Sequence, residues 1–167
     1  MTMIILEGCD ANFKTTIANK LSQELGYDIV KGSTFEYAAN GDEELYKRMI
    51  SLCELDNVIL DRFIYSNLVY APLYDDFSML TPEQVEIIEN KIEDKAIIFY
   101  LHAPVETIVE RINVRGDEYV KVDKIESIIN GYDVLCDTTV ELHTFNTALN
   151  SSNNIVKSIM KIINCKN

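Results

Sequence analysis

The chain has 167 residues, with 15 Lys+Arg against 27 Asp+Glu and a formal net charge of −12. This length and its 47% apolar content describe one domain, residues 1–167, able to bury its own core. So acidic a balance disfavours long polyanions such as nucleic acids as partners, and no apolar run approaches the roughly 18 residues a membrane span needs.

The opening MTMIILEGCD has no basic segment ahead of its short apolar run, so no secretory leader is expected. Met3–Leu6 reads as a strand, and Lys14–Leu25 as a helix with Ile17, Ala18, Leu21 and Leu25 on one face. Gly26 stands where a helix-closing glycine belongs. Tyr27–Val30 follows as a short strand, Asp42–Glu54 as a helix, and Asn57–Leu60 as a third strand ending at Asp61-Arg62. Thr81-Pro82-Glu83-Gln84 has the pattern of a capped helix start. Ala96–Leu101 reads as a fourth strand, with a helix beginning near Pro104. A long helical stretch from Lys121 to Cys136, a fifth strand at Thr139–His143 and a helix carrying Ile155, Val156, Ile159, Ile162 and Ile163 complete the chain. Strands alternating with helices predict an α/β three-layer sandwich, a five-stranded parallel sheet with helices on both faces.

Cys9, Cys53, Cys136 and Cys165 are widely spaced and make no CxxC pair. Reduced thiols and a cytoplasmic location are the expectation. His102 and His143 are too far apart in sequence to suggest a histidine metal site.

Chemistry concentrates where the first strand meets the first helix, in Gly8-Cys9-Asp10-Ala11-Asn12-Phe13-Lys14-Thr15-Thr16. Amide N–H groups of a loop entering a helix point at one spot and carry the helix's partial positive charge. A lysine there adds a full charge for the β- and γ-phosphates, and the next hydroxyl can ligate Mg²⁺. Gly8, Asn12, Phe13, Lys14, Thr15 and Thr16 are the expected ATP-binding residues. Phe13 stands where the phosphate-loop pattern has its second glycine. It implies a strained backbone, a reshaped loop, a ring resting against the nucleotide, or a loop that binds nucleotide without turnover.

With EGCDANFKTT, DRFIYSNLVY and ERINVRGDEY in that order, the sequence resembles the thymidylate kinase-like nucleotide kinases, relatives of the deoxynucleoside kinases. The family's E-G-x-D-x-x-G-K-[ST]-[ST] loop is matched by Glu7, Gly8, Asp10, Lys14, Thr15 and Thr16. Its D-R-[aromatic]-x-x-S-x-x-[AV]-[YF] stretch is matched by Asp61, Arg62, Phe63, Ser66, Val69 and Tyr70. The resemblance implies ATP- and Mg²⁺-dependent phosphoryl transfer to a deoxynucleoside monophosphate, dTMP-like, and a possible homodimer. Lys14, Asp61, Arg62, Arg111 and Arg115 would be catalytic. Thr15 and Asp61 would hold the metal, and Arg62 would grip the acceptor phosphate bidentately. Asp10 would hold the acceptor's sugar hydroxyl. Arg111 and Arg115 would belong to a lid around residues 111–120, with Gly116 letting the chain turn.

Asp10, Phe35, Arg62, Ser66 and Tyr70 are thus the expected substrate-binding residues. Glu36 is a candidate general base of the kind a nucleoside acceptor requires. Arg48 is a candidate second acceptor arginine. The alternatives to the monophosphate reading are a deoxynucleoside kinase, an impaired nucleotide-binding module, or a kinase acting on nucleic-acid ends.

Overall fold

Five consecutive side chains without solvent exposure, MIILE, form β1 (Met3–Glu7) in the computed structural model, which describes residues 2–32, 41–115 and 122–166. A strand buried on both faces belongs at the centre of a helix-covered parallel sheet. The other strands are β2 (Asp28–Lys31), β3 (Val58–Asp61), β4 (Ala96–His102) and β5 (Glu141–Asn146), all paired in parallel in the order β2-β3-β1-β4-β5. Ile5 stands level with Leu60 on one side and Ile98 on the other.

Strand side chains alternate between faces, which splits the core in two. Met3, Ile5, Leu60 and Ile98 point into the larger half, beneath α2 (Asp42–Cys53), α3 (Ile64–Tyr70), α4 (Pro82–Ile92), α5 (Val105–Arg115) and α6 (Ile125–Gly131). Ile4, Leu6, Ile59, Ile97 and Phe99 point into the smaller half, beneath α1 (Lys14–Leu25) and α7 (Ser152–Lys166). The expected three-layer sandwich is therefore the observed one. Among the described residues, no helix is long and apolar enough to cross a membrane.

Local signals act as the sequence implies. Gly26 closes α1 at φ +71°, its N–H donating to the Ser22 carbonyl at 2.9 Å. The Thr81 hydroxyl accepts from the Gln84 N–H at 3.3 Å, and the Gln84 side chain accepts from the Thr81 N–H at 2.9 Å. Such a cap is worth about 1 kcal/mol.

Three stretches differ from the sequence expectation. The region expected as one helix from Lys121 to Cys136 is divided, with 3-10 turns at Val122–Lys124 and Tyr132–Asp137 flanking α6. Gly131 lies at the second break, where an added Cβ would come within 2.9 Å of a Val69 methyl. The fifth strand begins at Glu141 instead of Thr139, because the Thr138 hydroxyl takes the Val140 N–H and itself donates to Glu89. Helix α3 occupies a stretch given no element in sequence. Six of its seven side chains are buried, so it lacks the polar stripe that marks a surface helix.

Candidate active site

The carboxyl ends of β1 and β3 open onto a cavity of about 910 Å³. Ligands bind at this edge of open α/β sheets, where the chain's crossovers diverge to opposite sides. Lys14, Thr15, Asp61, Arg62, Arg111 and Arg115 all line it. The residues singled out as catalytic thus converge on one space.

On one side lies the loop between β1 and α1. Gly8 has φ +137°, and a Cβ there would stand 2.1 Å from the Leu101 carbonyl oxygen, so the position admits only glycine. Phe13 immediately precedes α1 in the left-handed conformation, φ 63° and ψ 9°, and Ala11 has φ 59°. Phe13 thus carries the strained backbone expected at this position. Its ring packs on the smaller core and lies beneath the Arg111 guanidinium, 4.4 Å from the ring centre. A cation in that position contributes about 0.5–1 kcal/mol.

The same guanidinium donates to the Ala11 carbonyl at 3.2 Å, the Thr147 hydroxyl at 2.9 Å and the Thr147 carbonyl at 2.8 Å. Thr147 in turn donates to the Asn12 side chain at 2.8 Å. Arg111, expected as a catalytic arginine of a lid, is thus engaged by the protein itself. It lines the cavity while being tied to the phosphate loop and to the segment after β5. Arg115 lies one turn further along α5 and lines the cavity from its rim.

Lys14 folds its ammonium back onto the loop, donating to the Cys9 carbonyl at 2.7 Å. Burial and the nearby Arg62 charge push its pKa down to about 8, against the pull of Asp10 and Asp61. Asp61 Oδ1 is buried and has no hydrogen-bond partner among the described residues. An orphaned buried carboxylate oxygen is costly unless a ligand meets it. With the Thr15 hydroxyl lining the same cavity, these oxygens suit Mg²⁺, which takes a few protein oxygens together with phosphate oxygens.

On the other side, Arg62 donates through Nη2 to Asp10 Oδ1 at 2.7 Å, and its guanidinium lies 4.8 Å from the Tyr70 ring centre. The Tyr70 hydroxyl donates to Asp10 Oδ2 at 3.3 Å. Burial alone would raise the Asp10 pKa, but the Arg62 and Lys14 charges and these hydrogen bonds hold it below the usual carboxylate range. Arg62 is itself left-handed, at φ 69°. Ser66 reaches the cavity wall, and its hydroxyl donates to the buried Glu7 carboxylate. Tyr70 also lines the cavity, with the Arg62 guanidinium over its ring.

Glu7, fully buried at the end of β1, accepts from the Phe63 N–H at 2.7 Å and the Ser66 N–H at 3.3 Å. It therefore caps α3 from a different element, where no local side chain does so. Burial pushes its pKa up. Arg48 donates to the Lys31 carbonyl at the end of β2 at 3.2 Å. Phe35, Glu36 and lid residues 116–120 lie outside the described residues.

Sequence reasoning assigned no role to Thr147, Tyr132 or Glu7. Thr147 and Tyr132 carry no local signal. Glu7 carries one, a charged residue closing an otherwise apolar central strand.

Residues 17–159 match the thymidylate kinase family model. The chain belongs to the thymidylate kinase family. Nucleotide phosphoryl transfer is the chemistry this family brings to the site. The chain is 47% identical over 164 residues to the SPbeta prophage-derived protein YorR of Bacillus subtilis (strain 168), covering 98% of this chain and 99% of YorR. A crystal structure of YorR in complex with phosphorylated GDP superimposes with a TM-score of 0.95, at 46% identity and over 99% of this chain and 97% of that one. Deoxyadenosine kinase from M. mycoides, solved with dCMP and dCDP, shares the fold at a TM-score of 0.63 and 18% identity, over 99% of this chain and 100% of that one. Thymidylate kinase from Candida albicans shares it at a TM-score of 0.63 and 19% identity, over 99% of this chain and 92% of that one.

Proposed function

We propose that this family member transfers the γ-phosphoryl group of ATP to a deoxynucleoside monophosphate, dTMP-like in its sugar and phosphate, giving the diphosphate. One observation carries the reading. The Arg62–Asp10 pair, with N···O 2.7 Å, faces the same cavity as Lys14 and the phosphate loop. A guanidinium suits an acceptor phosphate, and a neighbouring carboxylate held ionised suits a sugar hydroxyl. The loop amides and Lys14 hold the donor's phosphates, and Arg115 adds positive charge as negative charge spreads over the moving group. Asp61 and Thr15 would hold Mg²⁺, which when bound neutralises charge on the β- and γ-oxygens. Arg111 fixes the loop on which the donor sits. No covalent intermediate with the protein is needed.

The complex of YorR with phosphorylated GDP supports including guanine nucleotides among those tried. The test is incubation with Mg²⁺, ATP or GTP, and panels of deoxynucleosides and their monophosphates, with the products separated by ion-exchange chromatography. Diphosphate formed from monophosphates is the expected result. Phosphorylation of nucleosides alone would make the protein a deoxynucleoside kinase. Nucleotide binding without turnover of any acceptor would favour a non-catalytic module.

A further inference from the structure

We propose that Glu7 is a positioning residue for the acceptor, setting the backbone from which Arg62 reaches the acceptor's phosphate without itself touching a nucleotide. The proposal rests on the reading that Arg62 grips that phosphate.

Arg62 holds a left-handed backbone, φ 69°. A left-handed arginine persists only where its surroundings over-determine it. Here three successive backbone positions are fixed from outside. The Asp61 carbonyl accepts from the Gly32 N–H at 3.2 Å, and the Arg62 N–H donates to the Leu6 carbonyl at 3.0 Å. The Phe63 N–H donates to Glu7 Oε1 at 2.7 Å. Gly32 closes the remaining side, since a Cβ there would stand 2.1 Å from the Arg62 carbonyl oxygen. Of these contacts, the one made by a side chain is that of Glu7.

The same carboxylate also gathers donors from further along the chain. The Ser66 N–H, the Ser66 hydroxyl and the Tyr132 hydroxyl all donate to it, the last at 3.4 Å, and the Tyr132 and Ser66 hydroxyls lie 3.1 Å apart. Every partner is a donor toward Glu7, so an ionised carboxylate, accepting on both oxygens, satisfies them all. Glutamine has the same shape but turns an NH₂ group toward donors on one side. One buried acid thereby ties together the end of β1, the Asp61-Arg62-Phe63 turn, the start of α3, and the 3-10 turn after α6. The phosphate loop leaves the same strand end, but its conformation is held by Arg111, Thr147 and Gly8. Loss of the Glu7 carboxylate therefore acts on the acceptor side.

Steady-state kinetics with ATP and dTMP or dGMP on E7Q test this. The acceptor KM should rise at least tenfold while the ATP KM changes less than twofold. In an Arg62→Ala background, E7Q should add little further loss, because no guanidinium remains to be positioned. An unchanged acceptor KM, parallel rises in both KM values, or fully additive losses would overturn the proposal. If E7Q does not fold, Tyr132→Phe replaces it, removing one donor from the carboxylate. It should raise the acceptor KM two- to fivefold and leave the ATP KM unchanged, and a shift in both or in neither overturns the proposal. A wild-type protein that phosphorylates no monophosphate would instead defeat the acceptor reading itself.

Discussion

Phe13 and Arg62 adopt nearly the same left-handed backbone, φ 63° and 69°, on the two sides of one cavity, and they are held in opposite ways. The donor-side loop is clamped from its rim by a guanidinium that lies over an aromatic ring and reaches across to Thr147. The acceptor-side turn is held from beneath, by a carboxylate with no exposed surface. Arg111 and Phe13 keep part of their surface exposed, although the Thr147 and Asn12 side chains behind them are buried. Loss of the buried Glu7 acceptor would strand donors in the core, and an unmet donor there costs about 1–3 kcal/mol. On the proposed assignment, the donor side carries a residue that breaks the phosphate-loop pattern under a guanidinium, and the acceptor side rests on one buried carboxylate.

Substitutions should reveal this asymmetry. Arg62→Ala should have the largest effect, raising the acceptor KM by about 100-fold as a charge-assisted contact is lost and Asp10 loses its ion-pair partner. Initial rates over a range of monophosphate concentrations would show it, and an unchanged acceptor KM would remove Arg62 from the acceptor site. Next comes pH, acting on the donor side. In the free protein Lys14 loses its proton near pH 8, and bound phosphates would favour the charged form. ATP affinity should be flat below pH 8 and fall above it by up to about tenfold per unit, with proton uptake on binding near pH 8. Calorimetry in two buffers of different ionisation enthalpy measures that uptake.

Thr147→Val should have a smaller effect. It removes the hydroxyl shared by Arg111 and Asn12, at a cost of about 1–2 kcal/mol in urea unfolding. A severalfold rise in the ATP KM, with the acceptor KM unchanged, is expected. Phe13→Gly should change least. Relief of a left-handed side-chain residue gains about 1 kcal/mol, while loss of the Arg111 contact and ring packing gives back a similar amount. Unfolding stability should therefore stay within about 1 kcal/mol and turnover within a few-fold. A large gain in turnover would mean that Phe13 suppresses the activity.

Much of this was legible in the sequence because it is local. The continuous apolar runs at Met3–Leu6 and Ala96–Leu101 identify central strands, and Lys14-Thr15-Thr16 after a strand identifies the phosphate loop. The long-range parts were hidden. Nothing in the sequence near Arg111 announced Phe13, Ala11 and Thr147 as its contacts. Helix α3 escaped notice because burial on nearly all sides erases periodicity. At Gly131, where α6 passes into a 3-10 turn, the chain comes so close to Val69 of α3 that an added Cβ would stand 2.9 Å from a methyl, a contact the Lys121–Cys136 stretch alone does not announce.

The cap that Glu7 provides to α3 also bears on how the protein opens and closes. A helix of seven residues with no cap of its own is too short to persist alone in water. Its first turn is completed by a strand 56 positions earlier in the chain, so it can form only once β1 and β3 are already side by side. Its amide hydrogens should then exchange at the rate set by opening of the central sheet, not by local fraying. The acceptor half of the site would in that case have no partly unfolded state of its own, and the tyrosine and arginine that line it would appear and vanish together with the core.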